Sequence, residues 1–131
     1  MHDIDRGLRG FHSCTGSWKI DGRSFEIDLQ GLIPYLKSKE PQIILHDQIA
    51  WHKLKMYGDS VYRFRDCDIT CPGIVAANVP NPRGKPYRLI DGKHRLHKIK
   101  QETNAYKSAF YVLSKEEFYA IISDDQWVRE V

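Results

Sequence analysis

The sequence predicts an α+β fold, a small mixed β-sheet with flanking short helices. Three observations predict it. From Pro72 onward the 131-residue chain runs strand, loop, strand, helix, strand, helix, a pattern of layered mixed structure. "SWKIDGRSFEIDL", residues 17–29, alternates apolar and polar side chains around Asp21-Gly22, which is a hairpin signature. Ser114 and Glu117 stand at capping-box spacing ahead of an apolar stripe, which marks a helix start.

Taken in order, residues 1–16 are polar and have no apolar run of the kind a secretory signal carries, so they are expected to form the flexible N-terminal arm of one domain spanning 1–131. In the hairpin, the two-residue Asp-Gly turn sets Trp18 opposite Phe25. "GLIPYLKSKEP" is expected to be a loop or short helical turn, broken by Pro34 and Pro41. "QIILHDQIAWHKLKMYG" has helix spacing at Leu45, Ile49, His52 and Met56, while "QIILH" alone fits a buried strand. A short strand and then a helix ending near Gly58 is the reading adopted. "DSVYRFRDCDIT" reads as irregular. "GIVAANV" and "YRLI" are strands joined by "PNPRGKP", a loop stiffened by proline. Leu96 and Ile99 form the inward stripe of a helix over 93–102. "AYKSAFYVL" is a nearly buried strand, and Phe118, Ile121 and Ile122 form the inward face of the last helix.

At 41% hydrophobic and 28% charged, the composition fits a folded globular chain rather than a disordered one. No apolar run approaches the roughly 20 residues of a membrane helix. Cys14, Cys67 and Cys71 are an odd set for a secreted disulfide scaffold, so reduced thiols and a cytoplasmic location are expected. The net charge is +3, but Arg83, Lys85, Arg88, Lys93, Arg95, Lys98 and Lys100 face one acid, Asp91, between residues 83 and 100. That segment carries +6 and the remainder −3. Positive charge so concentrated points to phosphate or nucleic acid.

The centre of the segment is "IDGKHR". A helix N-terminus already carries partial positive charge and unpaired amides. Lys93, His94 and Arg95 on that turn are locally unfavourable unless an anion is expected. Gly92 lets a ligand oxygen approach the backbone, and the following amides can bind an oxyanion. Arg95 can grip phosphate with two parallel bonds. His94 can donate a hydrogen bond or move a proton. Lys93 adds charge, and Arg88 on the preceding strand is expected to reach the same end. Asp91 is a candidate for Mg²⁺ binding or proton acceptance; an ordinary turn aspartate is the plainer alternative.

These residues carry a resemblance. "PGIVAANV", then "YRLIDGKHRLHKIKQ", then the strand through "AFYVL" resemble the ParB/sulfiredoxin-like superfamily, through its strand–D-G-x-H-R–helix pattern over about the last 60 residues. The resemblance implies a small α+β fold holding a nucleotide phosphate at that helix N-terminus. Gly92 would be the close-approach glycine, and His94 and Arg95 the phosphate ligands. Sulfiredoxins carry a catalytic cysteine where this chain has Lys93, which argues against sulfinic acid reduction. Partition proteins spell the motif G-E-R-R and bind cytidine triphosphate beside a DNA-binding domain; this chain has neither that spelling nor room for the second domain. The D-G-x-H-R spelling is similar to ParB-like nuclease-type domains, many of them in phages and plasmids, and to an ADP-using serine kinase. The implied cofactors are ATP, ADP or CTP with Mg²⁺, and the implied chemistry is phosphoryl transfer or phosphodiester cleavage, with Asp91 and His94 as catalytic candidates.

Other groupings are weaker. The C-x3-C of Cys67 and Cys71 and the H-x5-H of His46 and His52 fit no tight zinc template, so no metal site is expected. Asp66 and Asp68 read as loop residues. Tyr87, Tyr106 and Tyr111 are candidates for base stacking or plain sheet residues. Besides the nucleotide-binding expectation, a non-enzymatic DNA- or RNA-binding module using Arg83, Lys85 and Lys98 stands as the alternative, and a structural protein with a lapsed phosphate site as the third reading.

Overall fold

The computed structural model describes residues 15–20, 23–51, 69–81, 83–123 and 128–130. Residues 1–14 of the expected arm, 59–68 of the stretch read as irregular and 52–58 of the expected helix ending near Gly58 lie outside them; Thr15 and Gly16, expected in the arm, instead open the first strand, where they pair with Asp28 and Ile27. Strands β1 (Thr15–Ile20) and β2 (Arg23–Asp28) pair antiparallel with Trp18 opposite Phe25. That is the register a two-residue turn at 21–22 dictates. Strand β8 (Val128–Glu130) adds to the other edge of β2. A 3₁₀ turn (Leu29–Leu32) then leads into the helical turn α1 (Ile33–Leu36), where Pro34 occupies a first-turn position. No backbone partner is lost there.

The main sheet has five strands in the order β3-β7-β5-β6-β4. They are β3 (Gln42–Leu45), β4 (Ile49–Ala50), β5 (Gly73–Ala77), β6 (Tyr87–Asp91) and β7 (Lys107–Leu113). β5 runs parallel to β7 and antiparallel to β6, and β4 runs parallel to β6. The sheet is mixed, as the element order predicts. One expectation is corrected. The chain from His46 does not start a helix; it makes a 3₁₀ turn (His46–Gln48), and Ile49 and Ala50 pair with Tyr87 and Arg88. A β-branched residue gains more by pairing and burial at a sheet edge than by a helical spacing, and Ile49 is buried.

Alternation through the strands sends side chains to two separate cores. Ile74, Ala76, Ile90, Tyr111 and Leu113 pack with Leu32, Leu36, Phe118 and Ile121 on one face. Val75 and Phe110 pack with Ile44, Ile49 and Leu96 on the other. Both faces of β5 are therefore covered, which is why "GIVAA" reads as an unbroken apolar run. Helix α2 (Lys93–Glu102) covers the second face through Leu96, and α3 (Lys115–Ile122) the first. The capping box at α3 forms as the spacing predicts. The Glu117 amide donates to Ser114 Oγ at 3.1 Å, and the Ser114 amide donates to the Glu117 carboxylate at 2.9 Å. No helix among the described residues is long and apolar enough to cross a membrane.

The loop between β5 and β6 is set by one side chain more than by its prolines. The Asn81 carboxamide donates to the Lys85 carbonyl at 2.8 Å and accepts from the Lys85 amide at 2.9 Å and the Arg83 amide at 3.2 Å. Asparagine closing its own turn in this way is a recurrent loop device.

Candidate anion site at the start of helix α2

The site forms where β6 ends. A register shift between β5 and β6 at Ile74/Val75 puts an extra β6 residue just before the exit to α2, and bulges of this kind re-aim the chain. Gly92 then takes φ +109°, a left-handed value, and serves as the N-cap of α2. Only glycine holds that conformation without strain. A Cβ there would lie 3.2 Å from the Gly73 Cα. The close approach at Gly92 is thus between two backbones, which seats the helix start on the first residue of β5.

Gly73 has its own reason. The Phe110 ring crosses it, and a Cβ would stand 2.8 Å from that ring and 2.9 Å from the Asp91 carbonyl. Beside the two glycines is a cavity of about 50 Å³, lined by Thr70, Cys71, Gly73, Gly92, Arg95 and Ser108 among others. That is room for a few water-sized groups.

Arg95 is 5% exposed. Its guanidinium donates to the Pro72 carbonyl at 3.2 Å and lies 3.8 Å from the Asp91 carboxylate. Asp91 is equally buried, and its Oδ2 accepts no hydrogen bond among the described residues. Burial pushes the Asp91 carboxyl up to about 7, although the Arg95 charge and the Gly92 amide favour ionisation. Desolvation therefore outweighs the ion pair here. Behind Ser108, the His46 imidazole shares a 2.8 Å hydrogen bond with its hydroxyl. Burial, with the Lys100 charge nearby, pushes His46 below its ordinary value, so it is neutral at pH 7.

The motif residues do not all meet in one place. Gly92 and Arg95 line the cavity, and Asp91 adjoins Arg95. Lys93 is exposed on the first turn and does not line the cavity. His94 is buried but does not line the cavity; at 3.6 residues per turn it projects about 200° round the axis from Gly92. Arg88 stays back along β6, donating to the Pro80 carbonyl at 2.8 Å. Arg83 and Lys85 are exposed in the 78–86 loop, and Lys98 is half-buried on α2. Of the tyrosines, Tyr111 is in the core, Tyr87 packs against the other core cluster, and Tyr106 is exposed beneath the Lys107 ammonium.

Thr70, Gly73 and Ser108 escaped the sequence reading, and Cys71 entered it only as a weak zinc candidate, because they come from two other segments that only the sheet brings together. Gly73 opening an apolar strand was the one available signal. His52, Asp66, Cys67 and Asp68 lie outside the described residues, and no group of three or more metal-binding side chains occurs among those described. Comparison of the chain with family models, curated proteins and solved structures yields no match.

Proposed function

We propose that the chain binds a phosphate-bearing ligand at the start of α2, with the phosphoryl group in the cavity beside Gly73, Gly92 and Arg95. The ParB/sulfiredoxin-like resemblance makes a nucleotide the ligand class. The observation that carries the reading is the buried Arg95 guanidinium in the wall of a small cavity, part polar and part apolar, at a helix N-cap. A guanidinium and helix amides together are an oxyanion receptor. Burial raises the Asp91 carboxyl to about 7, so near neutrality it is incompletely ionised and neutralises the guanidinium only in part. Thr70, Cys71 and Ser108 also line the cavity. The cavity takes a phosphoryl group, and the rest of the ligand lies beyond its mouth.

Chemistry beyond binding has one supporting feature. A carboxyl titrating near neutrality suits proton transfer, which keeps phosphoryl transfer or phosphodiester cleavage within the reading. Asp91 would then be the proton acceptor. His94, being off the cavity, would act only through the helix. ATP, ADP or CTP, with and without Mg²⁺, should raise the melting temperature. Lys93→Glu, at an exposed position, should weaken that effect about tenfold in concentration. Arg95→Lys keeps the charge, loses the two-pronged grip, and should weaken it further. No shift with any nucleotide or with inorganic phosphate would end this reading.

A second reading, a nucleic-acid module, draws on the exposed Arg83, Lys85, Lys93 and Lys100. It predicts affinity that falls steeply with salt.

A further inference from the structure

A larger cleft lies on another side of α2. It measures about 380 Å³ and is lined by Trp51, Arg83, His97, Lys100 and Gln101. His97, Lys100 and Gln101 are spaced i, i+3, i+4, so they share one helix face. That face is rotated roughly 140° from the one formed by Gly92, Arg95, Leu96 and Ile99. The cleft and the small cavity are separate sites.

We propose that this cleft binds a nucleotide unit, with its base on Trp51 and its phosphate on Arg83 and Lys100. The chemistry of the wall supports each part. An indole offers a flat apolar surface on which any base can stack. Two cations and no carboxylate among the described lining residues favour an anion. The Gln101 carboxamide donates and accepts, as a base edge requires. The volume is at the lower end for small-molecule sites, enough for one nucleotide rather than several.

The walls are also held in place before any ligand arrives. Trp51 is half-buried against the core cluster of Val75, Leu96 and Phe110. The Arg83 loop is closed by the Asn81 carboxamide. Less ordering is then required on binding. A free mononucleotide and one nucleotide of a single strand present the same base and phosphate, so the site's chemistry accepts both.

The test uses the whole chain with AMP and with a short oligothymidylate, titrated at about 50 and about 200 mM salt. The wild type should bind at least one of them with a dissociation constant below about 1 mM. Saturable AMP binding of similar strength identifies a mononucleotide site. Tight, salt-dependent oligomer binding with weak AMP binding identifies a strand site. Arg83→Glu and Lys100→Glu, both at exposed positions, should each weaken binding about tenfold or more. Lys115→Glu, at an exposed position on α3 away from both sites, should leave it unchanged. Trp51→Leu should remove the loss of indole fluorescence that stacking causes. The proposal fails if neither ligand binds, or if binding persists unchanged in the Arg83→Glu, Lys100→Glu double variant.

Discussion

Asp91 makes the stability of this protein depend on pH in an unusual direction. The perturbation is Asp91→Asn, which keeps the shape of the side chain and removes its ionisation. An ordinary aspartate titrates at 3.8, and burial moves Asp91 to about 7 in the folded chain. Below pH 4 the carboxyl is protonated whether the chain is folded or not, and it costs nothing. Between pH 4 and 7 the unfolded chain has released the proton and the folded chain retains it. Folding then takes up a proton, so stability falls as pH rises. A difference of about three pH units, at 1.36 kcal/mol each, amounts to about 4 kcal/mol lost by pH 7–8. For a chain of this size that is on the order of 10 °C in melting temperature. Asn at this position leaves Arg95 with one carboxylate fewer and shifts the whole curve, but it removes the slope. Melting temperatures of both proteins, measured by circular dichroism from pH 4 to 8, should diverge in the sense that the wild type loses ground as pH rises. Parallel curves would refute the burial and pKa assigned to Asp91.

Further outcomes follow from the same geometry. Sulfate, which stays doubly charged over this range, should bind the α2 cavity more tightly at pH 6 than at pH 8 by isothermal titration, because ionised Asp91 repels it; Asp91→Asn should abolish that dependence. Gly73→Ala should cost about 1–3 kcal/mol in urea unfolding, and Phe110→Leu should not fully rescue it, since the Asp91 carbonyl at 2.9 Å remains. Leu113→Ala, at a fully buried position in the core shared with Phe118, should cost about 2–5 kcal/mol by the same measurement. Ser114→Ala removes the α3 cap and should cost about 1 kcal/mol.

The local elements were legible in the sequence because short-range physics sets them. A two-residue Asp-Gly turn leaves one register, Trp18 against Phe25. Ser114 and Glu117 cap each other across three residues. Gly92 followed by the Leu96 and Ile99 stripe gives the helix over 93–102. Alternation and unbroken apolar runs gave the strands of the second half and hence the α+β class.

Tertiary structure decided what depends on segments far apart in the chain. Helical spacing at Leu45 and Ile49 gave way because β6 offered Ile49 a pairing partner and a buried place. Lys93, His94 and Arg95 of "DGKHR" were all assigned to one anion site in sequence. Packing separated them, leaving Lys93 in solvent, burying His94 away from the cavity and turning Arg95 into it. The Asp91 shift exists only because the sheet and α2 together exclude water from that carboxyl. The sequence by itself determined that a helix opens after Gly92 with cationic side chains and no acid on its first turn. Which side chains face the cavity, and that Trp51 and Arg83 meet the far face of the same helix, follow from strand order and burial, which no local spacing encodes.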